Sequence, residues 1–241
     1  MRYLVTVSYN GAAYAGWQKQ NDRVSVQGEI ERVISTLFNK EISIFASGRT
    51  DAKVHALGQT FHFDGDKVDK AKLLYSLNKM LPNDIKLCKI KTVKDTFHAR
   101  FNAIAKTYRY EIALSDKEPF LNDLRLIYPF AFDEDKFRTA LALFEGHHDF
   151  KSFTSKPSDE AGYVREIFAI RVKKSGRFIT TDFIGNGFMR GQIRMMIGTA
   201  LAYANGKIEL DYIKLRLGED KRNTTIYKVG GEGLYLINVK Y

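Results

Sequence analysis

The chain has 241 residues, enough for one large domain or two small ones, and enough to bury a core without staples. Hydrophobic residues at 44%, charged residues at 27% and only four prolines describe an ordinary globular protein and exclude a Pro-rich linker or a low-complexity tail. The net charge of +10 is spread along the chain, which favours a polyanionic partner held in a folded groove over a polybasic arm, and a single cysteine excludes an internal disulfide or a cysteine-based zinc site.

Residues 2–9 alternate as a first strand and turn at Asn10-Gly11, which is not the pattern of a signal peptide. Residues 26–38 carry Val26, Ile30, Val33, Ile34 and Leu37 at helical spacing, with Ser25 placed to cap. A short strand is expected over 42–46, ending in a Ser47-Gly48 turn, and another over 59–64 with Phe61 and Phe63 on one face. A helix over 70–80 closes before Pro82, and a strand over 85–92 places Cys88 as a small core residue. The pattern then repeats. Strands are expected over 107–114, 167–173, 178–183 and 234–240, and helices over 135–144, 186–204 and 210–217. The order reads as α+β, with an N-terminal half over 1–105 and a C-terminal half over 106–241. Each half is expected to be an antiparallel-rich sheet with helices on one face. The other face, flanked by basic loops, suits RNA. The longest weakly polar run, 195–204, is too short to span a membrane, so a cytoplasmic location is expected.

Chemistry is most concentrated in Gly48-Arg49-Thr50-Asp51-Ala52-Lys53-Val54-His55. A strand runs into a glycine that permits a turn, then a cation, a hydroxyl and a carboxylate. Locally, a turn aspartate is more often a cap than a catalyst. Phe97-His98-Ala99-Arg100-Phe101 and Lys106-Thr107-Tyr108-Arg109-Tyr110 interleave aromatics with cations, as base-stacking and phosphate-holding surfaces do, although core strands do so too. In Gly187-Phe188-Met189-Arg190-Gly191-Gln192-Ile193-Arg194 the two arginines are four apart, which puts them on one face of the expected helix. His147 and His148 are adjacent and have no second cluster at ligand spacing, so no metal site is expected. Phosphate-loop, dinucleotide and serine-elbow motifs are absent from the sequence.

Taken together, these segments resemble the tRNA pseudouridine synthase A family. The resemblance rests on Gly48-Arg49-Thr50-Asp51-Ala52 with Val54-His55-Ala56 and Gly58-Gln59. It is supported by Gly16-Trp17-Gln18-Lys19-Gln20, Val26-Gln27-Gly28, Leu77-Asn78, Leu81-Pro82 and Phe97-His98-Ala99-Arg100-Phe101. Tyr108-Arg109-Tyr110, Gly146-His147-His148-Asp149-Phe150, Arg194-Met195-Met196-Ile197-Gly198 and Gly233-Leu234-Tyr235-Leu236 carry it through the second half. It implies two halves related by a pseudo-twofold, their sheets meeting at a central cleft. It implies a homodimer that converts uridines at positions 38 to 40 of the tRNA anticodon stem-loop, with no cofactor and no obligatory metal. Asp51 would be the catalytic carboxylate, attacking C1′ or C6 of a flipped uridine or stabilising charge at C1′. Arg194 would pair with Asp51 and favour its ionised form, and Tyr108 would lie against the uracil and handle the C5 proton. Arg49 would fill the gap left by the base. Arg100, Phe188 and Arg190 complete the implied substrate-binding set, with the cations on phosphates.

Two departures bear on the target. Lys53 stands where the family pattern usually has glycine, and Tyr227-Lys228-Val229-Gly230-Gly231-Glu232 replaces the more usual Ala-Pro stretch. Alternatives are the same chemistry on ribosomal RNA, a non-catalytic RNA-binding module, and a carboxylate hydrolase. The hydrolase would need a second acid in a comparable motif.

Overall fold

The computed structural model describes residues 1–155, 162–218 and 224–241. The fold is α+β, with ten strands and five α-helices among the described residues, in two compact units. One unit comprises Met1–Lys106 and Tyr235–Tyr241, and the other Thr107–Leu234.

In the first unit the strands are β1 (Arg2–Tyr9), β2 (Phe45–Ala46), β3 (His55–Asp64), β4 (Ile85–Val93) and the late strand β10 (Leu234–Lys240). Their order is β4-β1-β3-β10, with β2 on β3. β1 runs antiparallel to both neighbours, while β10 lies parallel to β3 with Tyr235 opposite His55. One face carries Tyr3, Val5, Phe61 and Phe63, all fully buried. Helix α1 (Val26–Phe38) covers it with Val26, Ile30, Val33 and Ile34, and Phe38 sets its edge against Phe63. Ser25 caps α1 by accepting from the Gly28 amide, a contact worth about 1 kcal/mol. Helix α2 (Lys70–Met80) is capped by Asp69 and tied to β4 by Asn78, whose side chain bonds both the N–H and the C=O of Leu87. Across the opposite face runs the loop 95–102. Arg2 reaches the carbonyls of Asp95 and Phe97, Tyr241 donates to Ala99 O, and the Ala99 amide donates to His62 Nδ1.

In the second unit the strands are β5 (Ala105–Leu114), β6 (Leu126–Tyr128), β7 (Gly146–Asp149), β8 (Val164–Ser175) and β9 (Phe178–Gly185), ordered β5-β9-β8-β7 with β6 on β5. The core combines Tyr110 and Ile112 of β5, Ile179 and Phe183 of β9, Phe137 and Leu141 of helix α3 (Glu134–Ala142), and most of helix α4 (Gln192–Ala204). Helix α5 (Leu210–Leu217) adds Ile213.

Four expectations are corrected. The strand expected over 42–46 is only Phe45–Ala46. Ile42 and Ile44 are buried, but their amides go to Ser35 Oγ and Glu31 Oε1 of α1, so side chains replace the ladder. The helix expected from residue 186 starts at Gln192, because Gly191 is left-handed at φ 74 and breaks the helical run. Arg190 therefore lies outside the helix that carries Arg194, and the shared helical face does not exist. Cys88 is exposed: Ile85 and Leu87 face inward, so the period of two turns Cys88 outward beside Lys86, and the register shift opposite Thr6 and Val7 then brings Ile90 back to the inner face.

Candidate active site

Asp51 lies between β2 and β3, in a segment whose backbone is fixed at both ends. At the leading end Ser47 is fully buried. Its amide donates to Thr60 O at 2.8 Å and its hydroxyl to Gln59 Oε1 at 2.6 Å. Gln59 Nε2 returns to Gly48 O at 2.9 Å, and Lys106 Nζ donates to Ser47 O at 2.8 Å. Gly48 has no left-handed backbone, so the turn it was expected to permit is not its reason. A Cβ there would stand 3.0 Å from Lys106 Nζ, so the glycine makes room for an ammonium.

At the trailing end the Thr50 hydroxyl meets Tyr9 OH at 2.8 Å in a buried pair, and Thr50 O accepts from the Trp17 amide at 3.1 Å. Gly16, at φ 103, approaches so closely that a Cβ would fall 2.6 Å from Thr50 O and 3.0 Å from the Asp51 carbonyl carbon. The Val54 amide closes a turn on Asp51 O, and Lys53, third in that turn, has φ 64 while Ala52 does not share the positive φ. This is the dihedral pattern of a type II turn, whose third position favours glycine. Lys53 therefore occupies a conformation that costs an ordinary residue about 1–2 kcal/mol. The left-handed backbone of this loop is thus at Lys53, five residues beyond Gly48.

Of the other residues singled out, Arg49 is exposed and shares the loop with Asp51. Arg100 is exposed on the loop across the sheet, its guanidinium 5.8 Å from the Phe101 ring centroid. In the second unit Tyr108 is buried on β5 and meets Phe188 edge-on, with centroids 5.3 Å apart. Arg190 is exposed, and its carbonyl accepts from the Ser155 amide at 3.0 Å. Arg194 is half-buried on the first turn of α4. Its Nε donates to Val229 O at 2.9 Å, and its own carbonyl accepts from the Val229 amide at 3.2 Å. Gly198, one turn on, lets residues 227–228 lie against the helix, where a Cβ would come within 2.8 Å of the Lys228 amide nitrogen. The atypical 227–232 segment is therefore what steadies Arg194.

The two tyrosines of Tyr108-Arg109-Tyr110 have different tasks. Tyr110 donates to Gly230 O at 3.0 Å, and burial pushes its hydroxyl well above the usual phenol range, with Glu232 adding to the shift and Arg194 opposing it. It is fixed as a neutral donor. Arg109, on the opposite face of β5, forks onto Asp182 at 2.7 and 3.0 Å. His147 and His148 sit in β7, where consecutive side chains point to opposite faces, and His148 Nε2 is engaged with Glu145 O. Among the described residues no cluster of three or more His, Cys, Asp or Glu side chains is arranged to hold a metal ion, and no helix is long and apolar enough to cross a membrane.

Sequence reasoning missed the anchors. Gln59, Gly16, Trp17 and Gly198 all lie in motifs that carried the resemblance, but nothing in one sequence says that they hold residues 47–54 or 227–229. Lys106 gave no signal beyond being one cation beside two tyrosines.

Comparison with known proteins bears on the whole chain. The family model described as tRNA pseudouridine synthase matches residues 5–102 and 140–241. The proteins called tRNA pseudouridine synthase A in Streptococcus pneumoniae strains P1031 and D39 are each 36% identical over 245 residues, covering 100% of this chain and 98% of theirs. Among solved structures, an H/ACA RNP bound to a substrate RNA containing 2′-deoxyuridine aligns at TM-score 0.38 and 13% identity, over 96% of this chain and 59% of that one. A Cbf5–Nop10–Gar1 complex aligns at 0.33 and 14%, over 82% and 54%. The match of the family model and the full-length identity agree, and the chain belongs to the tRNA pseudouridine synthase family.

Proposed function

We propose that this protein isomerises uridine to pseudouridine in tRNA, at positions 38 to 40 of the anticodon stem-loop, with Asp51 as the catalytic carboxylate. The reaction is balanced within the nucleotide. The C1′–N1 bond breaks, the uracil turns, C5 joins C1′, and the proton lost from C5 is matched by one gained at N1. No oxidant or reductant is required. A stacked uridine must first leave the helix, and a preorganised carboxylate then acts at the sugar or the base. The observation that carries the reading is the bracing of the Asp51 loop. Backbone groups of Ser47, Gly48, Thr50 and Lys53 are all engaged from outside the loop, so little reorganisation is left for the reacting step. In this reading Arg194 supplies the counter-charge to Asp51, Tyr108 borders the uracil, Arg49 takes the vacated place in the stack, and Arg100 and Arg190 hold phosphates while Phe188 backs Tyr108.

The test is purified protein with unmodified tRNA, read by site-resolved pseudouridine mapping. Pseudouridine is expected at the three anticodon-arm positions. Asp51→Ala is expected to lose activity while still binding the RNA. An active Asp51→Ala removes the catalytic assignment, free uracil in place of pseudouridine makes the protein a hydrolase, and modification confined to ribosomal RNA moves the target. The homodimer and cytoplasmic location are part of the same proposal. A monomer in sedimentation at micromolar concentration would overturn the first.

A further inference from the structure

The side chains and backbone groups described above as holding the Asp51 loop differ in charge. Tyr9, Trp17, Gln59 and Thr60 hold it through hydroxyl, amide and carbonyl groups, whereas Lys106 holds it through an ammonium. Three observations converge on that lysine. Its Nζ donates to the carbonyl of Ser47, a fully buried residue whose amide and hydroxyl are already engaged. The same Nζ stands 3.0 Å from where a side chain at position 48 would begin, and Gly48 has no backbone conformation that would otherwise call for glycine. The Gly48 carbonyl is held by Gln59, so lysine and glutamine pin successive peptide groups three residues ahead of Asp51.

We propose that Lys106 is a positioning residue for the reaction: its ammonium fixes the Ser47–Gly48 peptide, and Gly48 is glycine because that ammonium must fit. This rests on Asp51 being the reacting carboxylate. A hydrocarbon in place of the ammonium leaves the Ser47 carbonyl buried and unmet, and the strand end then has a reason to shift. A shift of about 1 Å at the reacting group is enough to slow an enzyme by about 100-fold. The competing role for a cation in an RNA-modifying protein is phosphate contact, which would weaken binding and lower the salt slope by about one.

The experiment is single-turnover pseudouridine formation at saturating tRNA, with Kd and its salt dependence measured alongside, for Lys106→Met, Lys106→Arg, Gly48→Ala and the Gly48→Ala/Lys106→Met double variant. Lys106→Met is expected to lower the rate by about 10- to 100-fold, with Kd within about twofold of the parent. Lys106→Arg, which keeps a cationic donor, is expected to recover much of that loss. Gly48→Ala meets only the movable tip of a side chain, so it folds, and it is expected to slow the reaction by displacing the ammonium. In the double variant the second change should add nothing, because both act through one contact. Additive losses, an unchanged rate, or a loss carried by Kd and the salt slope would each overturn the proposal. If Lys106→Met does not fold, the same cycle with Lys106→Gln decides. Asp51→Ala in the same assay separates the two claims. If that variant stays active the underlying assignment fails, whatever the cycle shows.

Discussion

Asp51 and Arg194 sit in segments that are stiffened in different ways. The Asp51 segment has no regular structure, and the chain around it supplies the rigidity. Gly16 presses its backbone against Thr50–Ala52, Tyr9 and Trp17 hold Thr50, and Gln59 and Lys106 hold Ser47 and Gly48. Arg194 starts from a regular element, the first turn of α4, and needs only its long side chain restrained. Val229 does this, with Gly198 letting that segment come close. A short carboxylate has little reach, so its backbone must be placed. A guanidinium has reach, so its far end must be. Substitutions at the two glycines should separate these designs.

Gly16→Ala is expected to have the largest effect. It combines a left-handed φ with a Cβ 2.6 Å from a carbonyl oxygen, and should cost about 3–4 kcal/mol of stability together with activity, read by denaturant unfolding and pseudouridine formation. Gly198→Ala has ordinary helical geometry and meets only the 227–228 backbone, so about 2 kcal/mol is expected. If Gly198→Ala proves the costlier, the contrast between the two segments is wrong. Gln59→Leu leaves the Gly48 carbonyl unmet and takes one partner from the Ser47 hydroxyl at one end of the Asp51 loop, at a cost of about 2 kcal/mol.

A smaller effect depends on pH. Burial is the main cause holding His62 down at about 4, with Arg2 and His98 adding to it. The unfolded chain takes up a proton near the ordinary histidine value of 6.5, whereas the folded chain does not until about 4. The His62 contribution to stability should therefore fall as pH drops from 6.5 towards 4 and level off below. The slope should shrink in His62→Gln, leaving the smaller part that belongs to His98, which burial also holds below the ordinary value, and an undiminished slope would place the titration elsewhere. The smallest effect should come from Lys53→Gly. Relief of the left-handed backbone, less the entropy glycine adds to the unfolded chain, should stabilise by about 0.5 kcal/mol, or about 1–2 °C in Tm. Mapping the same variant over total RNA tests whether the residue also tunes the target, an idea that an unchanged pattern of sites would dismiss.

These contrasts also mark how far the sequence could be read. Helices α1, α2 and α5 were legible because apolar spacing and, for α1, a capping serine point the same way. The start of α4 was not, because a single glycine dihedral at Gly191 makes the helix begin six residues later than the expected start at 186. Ile42 and Ile44 alternate like a strand yet bond to helix side chains, a choice that depends on where α1 packs. Within the site, Asp51 was legible through its motif and its chemistry. Its anchors were not, since the bonds from Gln59 and Lys106 to residues 47 and 48 span separations that one sequence does not encode as a pattern.

The pairing of β10 with β3 has a consequence for how the protein is made. Tyr235 and Leu236 lie beside His55 and Ala56, on the strand that leaves the Asp51 loop, and the chain between them builds the whole second unit. During synthesis β3 emerges long before β10, and the part of its edge at His55 and Ala56, beyond the stretch that β2 covers, waits unpaired while more than a hundred residues are added. Such distant pairing is slow to form and leaves an exposed edge in the meantime. A chain cut short by ten residues would keep Asp51 and every anchor of its loop and still lack the strand that pairs with the start of β3.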